Sequence, residues 1–154
     1  MADEDAIEML KADHKKVKKL FAEYESAEDG PPQQKQRIAE QVFQELEVHA
    51  TLEEEIFYPA VQAEADDEDK KLVAEAIEEH RIVKTLIEEL KELEPTDEQY
   101  DAKMKVLTEN VEHHAEEEED EMFPVAEDLL GERLETIGMQ MQQRKAQLTG
   151  ARAA

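Results

Sequence analysis

The sequence predicts an all-α protein: an up-down-up-down four-helix bundle with a pseudo-two-fold internal repeat and an extra C-terminal helix. Three observations predict it. Apolar residues recur at helical spacing in four long segments and never alternate with period two, as a half-buried strand would require. Only 4 Gly and 5 Pro punctuate 154 residues that are rich in Glu, Lys, Ala, Leu and Gln, all good helix formers. The connections between segments are short, which places successive helices antiparallel.

The first segment runs from about residue 3 to residue 27, with Ile7, Leu10, His14, Val17, Phe21 and Tyr24 along one stripe. Asp29-Gly30-Pro31-Pro32 stops it, since proline cannot continue a helix and glycine allows the reversal. The second runs from residue 33 to about residue 58, with Ile38, Val42, Glu45, His49, Leu52, Glu53 and Ile56 on its stripe. Pro59 is expected to kink or end it, and residues 60–65 add a further turn or two. A third helix follows the acidic turn Asp66-Asp67-Glu68-Asp69; Val73, Ala76, Ile77, His80, Val83, Ile87 and Leu90 mark its inner face, and it ends before Pro95. Thr96 is the expected N-cap of the fourth, with Glu98 and Gln99 in its first turn. That helix presents Tyr100, Met104, Leu107, Val111, His114, Glu118 and Met122, breaks near Pro124 and continues to Gly131. A last amphipathic segment, with Leu134, Ile137, Met141 and Leu148, is expected to lie outside the bundle, as a lid or as the surface for a homodimer or another protein partner. Residues 1–154 thus read as one domain: two fused hairpins, 3–65 and 69–131, and a C-terminal helix over 132–150.

Composition narrows the function classes. The net charge of −24, from 42 acidic and 18 basic residues, repels nucleic acid and anionic membranes, so neither is an expected partner. The absence of cysteine excludes disulfides, thiolate-bound zinc, iron–sulfur clusters and cysteine nucleophiles. Met1-Ala-Asp-Glu-Asp5 is acidic with no apolar stretch after it, which is unlike a signal peptide, and no run is apolar for long enough to span a bilayer. A soluble, cytoplasmic protein is the expectation.

Four of the five histidines stand in a duplicated frame. His49, Glu53 and Pro59 reappear sixty-five residues later as His114, Glu118 and Pro124, and His14 reappears sixty-six residues later as His80. Each of the four histidines occupies a position that the apolar period reserves for the core, and Glu53 and Glu118 follow His49 and His114 by one turn on the same face. Carboxylates buried there without partners would cost several kcal/mol apiece, on the order of the penalty for burying an ion. Metal ions remove that cost, because imidazole nitrogen and carboxylate oxygen are their ligands. His14, His49, Glu53, His80, His114 and Glu118 are therefore the candidate metal ligands. Either motif alone is weak in so acidic a chain, where a lone histidine on an apolar stripe is more often a hydrogen-bonded core residue. The repetition in register is what gives the set its weight. By the same register test His113 turns toward a flank, and Glu54, Glu55, Glu117 and Glu119 belong to solvated faces. The set differs from the ferritin-like arrangement of Glu-x-x-His on two helices with a Glu on each of the others.

The ordered combination Asp13-His14, His49-Ala-Thr-Leu-Glu53-Glu-Glu-Ile-Phe-Tyr-Pro59, Glu79-His80 and His114-Ala-Glu-Glu-Glu118-Asp-Glu-Met-Phe-Pro124 resembles the hemerythrin family, and more closely the bacterial hemerythrin-like HHE cation-binding proteins. The resemblance covers about residues 7–130. It implies a four-helix bundle with a non-heme di-iron centre in which His14 and His49 bind one iron and His80 and His114 the other. Glu53 and Glu118 would bridge the two, with an oxo or hydroxo group as third bridge. Ligand chemistry alone accepts manganese or zinc as well. Oxygen-carrying hemerythrins have a further histidine one turn after the position of His80, where this chain has Lys84. Two histidines per metal make a more symmetric, less saturated centre, which favours onward redox chemistry over reversible oxygen carriage. Lys84 is expected to snorkel outward, or to bond a bridging group if its head stays inside.

Three function classes follow: binding or sensing of O2 or NO, a catalase-like decomposition of H2O2, and iron buffering. Ile7, Leu10, Val17, Val42, Ile56, Val83, Ile87, Leu107, Val111 and Met122 are candidates for cavity walls or for plain core packing. Tyr24 and Tyr100 lie on inner faces and are candidates to bond or ligate the centre, with a structural hydrogen bond as the alternative.

Overall fold

The computed structural model describes residues 4–150, and among them the regular structure is entirely helical. Four long helices form the bundle: α1 (Ala6–Ala27), α2 (Pro32–Leu52), α4 (Asp67–Lys91) and α5 (Glu98–Glu117). A short helix α3 (Tyr58–Glu64) extends α2, its equivalent α6 (Phe123–Leu130) extends α5, and α7 (Arg133–Thr149) follows. α1 packs on α2 and α4 on α5, while α3 and α6 meet each other across the pseudo-two-fold axis.

Local chemistry explains the boundaries. Asp5 caps α1 in a reciprocal capping box with Glu8, at 2.9 and 3.0 Å. Residue 3, the expected start of this segment, lies outside the described residues; residues 4 and 5 precede the helix, which begins at Ala6 after the Asp5 cap. Asp66 caps α4 by accepting the Asp69 N–H. The fourth helix is capped by Asp97 and not by Thr96: the Asp97 carboxylate accepts the Gln99 N–H at 2.8 Å, a stronger, charged acceptor one residue later. Gly30 turns without a left-handed conformation, which among the described residues is reserved for Gly131 and Gly150.

Pro59 and Pro124 do not stop their helices. Each is preceded by one π-helical stretch, Glu53–Phe57 in the first half and Glu118–Met122 in the second. The Tyr58 N–H reaches back to the Glu53 carbonyl and the Phe123 N–H to that of Glu118, five residues each. The widened turn hands over to an α-helix whose first turn contains the proline, where a missing N–H breaks nothing.

The core divides into two apolar clusters with the histidines at their junction. On α1, Ile7 and Leu10 belong to one cluster and Val17 and Phe21 to the other, with His14 between them. On α2, Leu52 belongs to the first and Val42 and Leu46 to the second, with His49 between; His80 divides α4 in the same way, and His114 separates Leu107 of the second cluster from Met122 of the first, just beyond α5. A polar layer therefore crosses the bundle where all four helices change clusters. The apolar face of α7, Leu134, Ile137 and Met141, is buried against the bundle, so packing on its own chain is the use the structure shows for that segment; Met139 stays exposed.

Candidate metal centre

Each of the four histidines is held by its outer ring nitrogen. His14 Nδ1 lies 2.7 Å from Glu119, His49 Nδ1 2.9 Å from Asp13, His80 Nδ1 2.7 Å from Glu54 and His114 Nδ1 2.6 Å from Glu79. An Nδ1–H donated to a carboxylate leaves Nε2 of a neutral imidazole as a lone pair. All four Nε2 atoms point inward. His14 Nε2 lies 3.1 Å from Glu118, His80 Nε2 2.9 Å from Glu53, and His80 and His114 bring their Nε2 atoms within 3.2 Å of each other.

Ring nitrogens and carboxylate oxygens thus converge on one buried spot that favours positive charge. Their ligand atoms form two overlapping groups, His14–His49–Glu53–Glu118 and Glu53–His80–His114–Glu118, each with its atoms within 4.8 Å of one another. Glu53 and Glu118 are common to both and almost inaccessible. Among the described residues two buried side-chain polar atoms have no hydrogen-bond partner, His49 Nε2, which stands 3.4 Å from Glu53 Oε1 as an ion pair only, and Glu53 Oε2; both belong to the first group. Orphaned buried polar atoms are rare in folded proteins. The donor set therefore fits a pair of cations, and this His/Glu cluster could hold metal.

Without metal, protons supply the charge. Burial opposes the charged ring of His49, but Glu53 and Asp13 outweigh it and push its pKa up to about 10. Burial likewise opposes His114, and Glu118, Glu53 and Glu79 push it up to about 12. Glu53 is raised by burial and drawn down further by His49, which holds its carboxyl well below the usual range. A ring whose folded pKa exceeds its unfolded value of about 6.5 stabilises the fold below that value and loses the contribution as pH climbs to the folded pKa. Metal-free protein is thus expected to lose stability from about pH 7 upward, through the value near 10 for His49 and on toward 12 for His114. Urea midpoints of chelator-treated protein at pH 7 and 9.5 check this, and an unchanged midpoint would show the rings already neutral. Because a metal must displace these protons, its affinity rises over the same interval.

The pseudo-symmetry breaks at one pair. The Tyr58 hydroxyl lies within the second group, 3.1 Å from Glu53, 3.2 Å from each of His80 and His114 Nε2, and donates to Glu118 at 2.5 Å. Its counterpart in the other half is Phe123, which stacks on His14 with ring centroids 5.9 Å apart. One metal position therefore has a phenol beside it and the other an apolar ring. On an α-helix Phe57 would lie under Glu53; the π turn moves that place to Tyr58. Tyr24 and Tyr100, the tyrosines the sequence singled out, do not reach the centre. Tyr24 donates to Asp101, which also pairs with the buried Lys35 at 2.9 Å, and Tyr100 belongs to the far apolar cluster.

Two residues assigned to solvated faces need correction. Glu54 and Glu119 fold back onto His80 and its counterpart His14, because a glutamate next to a ligand glutamate is long enough to reach the ring of a neighbouring helix. Glu55 does face outward, onto Arg144, and Glu117 onto Glu79 and His113. Lys84 is half exposed and pairs with Glu54 at 2.7 Å, so its head lies outside the centre. His113 is 66% exposed and makes a looser group with Glu79 and Glu117, in which Glu79 is already committed to His114. His113→Ala is accordingly expected to leave metal content unchanged by elemental analysis; loss of metal would show that the ligand register is wrong. A cavity of about 540 Å³ borders the four histidines; Val17, Phe21, Leu46, Val83, Ile87 and Val111 form its apolar wall, and charged side chains such as Lys11, Lys18, Lys84 and Glu116 also line it. Of the other wall candidates, Ile7, Leu10, Val42, Leu107 and Met122 are buried in the two clusters and Ile56 packs against the first.

A helical bundle with two overlapping His/Glu groups at its centre defines a cation-binding bundle protein. The family model for the hemerythrin HHE cation-binding domain matches residues 5–126, and the chain belongs to that family. It is similar to the crystal structure of a hemerythrin HHE cation-binding domain-containing protein from Mycobacterium kansasii, at 27% identity and a TM-score of 0.79 over 96% of this chain and 89% of that one. It is also 30% identical over 116 residues, 75% of its length, to a Nostoc protein named DNA nickase. The chain spans about a third of that relative, 32% of its length.

Proposed function

We propose that this chain is a hemerythrin-like non-heme di-iron protein that binds or reacts with O2, H2O2 or NO. His14 and His49 would hold one metal, His80 and His114 the other, and Glu53 and Glu118 would bridge them. The observation that carries the reading is the sharing of Glu53 and Glu118 by two adjacent donor groups, at which the two unpartnered buried polar atoms, His49 Nε2 and Glu53 Oε2, are found. When bound, the metals would supply redox chemistry toward a small oxidant or nitric oxide. The chain's own contribution is fixed ring orientation through four outer carboxylates, an apolar wall beside the histidines, and a hydroxyl proton held at Tyr58. Burial first, then Glu53 and Glu118, push the Tyr58 pKa far up, so in the metal-free protein the phenol keeps its proton and donates it to Glu118. Iron over manganese or zinc rests on the family, since the donors suit all three. A DNA backbone would meet a net charge of −24, so nicking is not carried over from the Nostoc relative.

A second reading, catalase-like peroxide decomposition, is favoured by the same Tyr58 hydroxyl and by Lys84 standing outside the centre, which leaves two histidines per metal. The visible spectrum of anaerobically iron-loaded protein separates the two. A charge-transfer band that forms with stoichiometric O2 and vanishes on deoxygenation supports binding or sensing. Irreversible oxidation with rapid O2 evolution from added H2O2 supports the enzyme. Failure to take up two irons per chain would defeat both.

A further inference from the structure

The C-terminal helix α7 begins at Arg133, beyond the residues 5–126 that define the family match, yet it reaches the candidate metal centre. Arg144 forks onto Glu55 at 2.8 and 3.3 Å. One residue on, Lys145 Nζ donates to Asp13 Oδ1 at 3.1 Å, while the other oxygen of the same carboxylate, Oδ2, lies 2.9 Å from His49 Nδ1. Asp13 is buried, so its two oxygens have these two partners and little water. A continuous chain of contacts therefore runs from α7 through Asp13 to the ring whose Nε2 is orphaned.

The four outer carboxylates differ in what stands behind them. Glu54 of the His80 pair is backed by Lys84, from within the bundle. Glu79 and Glu119, which hold His114 and His14, have no lysine or arginine within 4.0 Å among the described residues. Asp13 is the outer carboxylate whose cation comes from α7. A buried carboxylate with a lysine on one oxygen is held in one rotamer; without it, the carboxylate is free to turn toward water and release the ring.

From this geometry we infer that Lys145 is a positioning residue for His49, so that its contact with Asp13 sets the affinity of the metal position formed by His14 and His49. The inference rests on the metal reading above. It makes the C-terminal helix part of the centre, although none of its side chains is placed as a ligand. Replacing an outer partner of a metal-bound histidine typically weakens the metal about 10–100-fold, and a residue one contact further out should act at or below the lower end of that range.

The test is a cobalt(II) titration of the metal-free full chain, followed by the visible d–d bands, with a thermal melt of each variant to confirm folding. Lys145→Met is expected to weaken one of two bound cobalt ions by about 3–10-fold and to leave the other unchanged. Lys145→Arg should restore it. Asp13→Asn should weaken the same ion, and the double variant should bind no worse than Asp13→Asn alone, because the two residues act in series. Arg144→Gln removes a half-exposed ion pair of the same helix without touching Asp13 and should bind both ions normally. Normal binding by Lys145→Met would overturn the inference, and so would an equal loss in Arg144→Gln, which would reduce the effect to helix docking alone. A wild-type chain that takes up no cobalt would instead defeat the metal reading itself, so the two failures are distinguishable.

Discussion

Glu53→Ala is expected to abolish the dinuclear centre, leaving at most one weakly held metal per chain by elemental analysis after iron loading. Each histidine belongs to one donor group, whereas Glu53 and Glu118 belong to both. Removing His80 should therefore leave the His14–His49 position occupied, while removing Glu53 strips a ligand from each. It also removes the charge that holds two cations side by side, since one carboxylate oxygen of Glu53 faces His80 and the other has no protein partner. Stability of the metal-free protein should fall as well. Glu53 is the carboxylate that offsets the buried charge on His49, so removing it, even as Glu53→Leu, leaves that ring without its partner, a loss of about 3–5 kcal/mol for breaking a buried pair from one side. Retention of two irons by Glu53→Ala would sink the ligand assignment.

That assignment also shows which parts of the site were legible in the residues. His14, His49, His80, His114, Glu53 and Glu118 were readable because a charged or polar residue on an apolar stripe violates the pattern, and the violation recurs at a fixed offset. The structure brings these six side chains together. The long helices were legible for the same reason, since their stripes run unbroken for many turns. Tyr58 was not, because a period of 3.6 puts it off the inner stripe; the π turn at Glu53–Phe57 rotates it back in. The one available signal was spacing: both ligand glutamates stand six residues before a proline, and a helix that carries a proline without breaking needs some local accommodation. Glu54 and Glu119 were missed because reach, unlike register, depends on where the neighbouring helix lies. The contact of Lys145 with Asp13 joins residues 132 apart in sequence, and nothing local announces it.

Gly138→Ala is expected to lower the stability of the protein by about 1–3 kcal/mol, although alanine is the better helix former. At this position α7 crosses the start of α1 so closely that an added Cβ would lie 2.8 Å from the Glu4 carbonyl oxygen, 2.9 Å from the Ala6 nitrogen and 2.9 Å from the Asp5 carbonyl carbon. These are backbone atoms, and they include the Asp5 cap of α1, so no side-chain rotation relieves the contact. Helix propensity favours alanine over glycine by about 1 kcal/mol, but it acts only on α7 itself. The clash must be met by moving α7 away from α1, which loosens Leu134, Ile137 and Met141 from the first apolar cluster. In a chain of this length 1 kcal/mol shifts the melting temperature by roughly 2–4 °C, so a fall of about 2–12 °C is the expected result. A melting temperature equal to or above that of the wild type would show that α7 does not lie against α1 as the structure places it. Because Lys145 rides on the same helix, Gly138→Ala should also reproduce part of the Lys145→Met loss at one metal position. Arg144→Gln should not, since losing a half-exposed ion pair leaves the crossing at Gly138 and the reach of Lys145 intact.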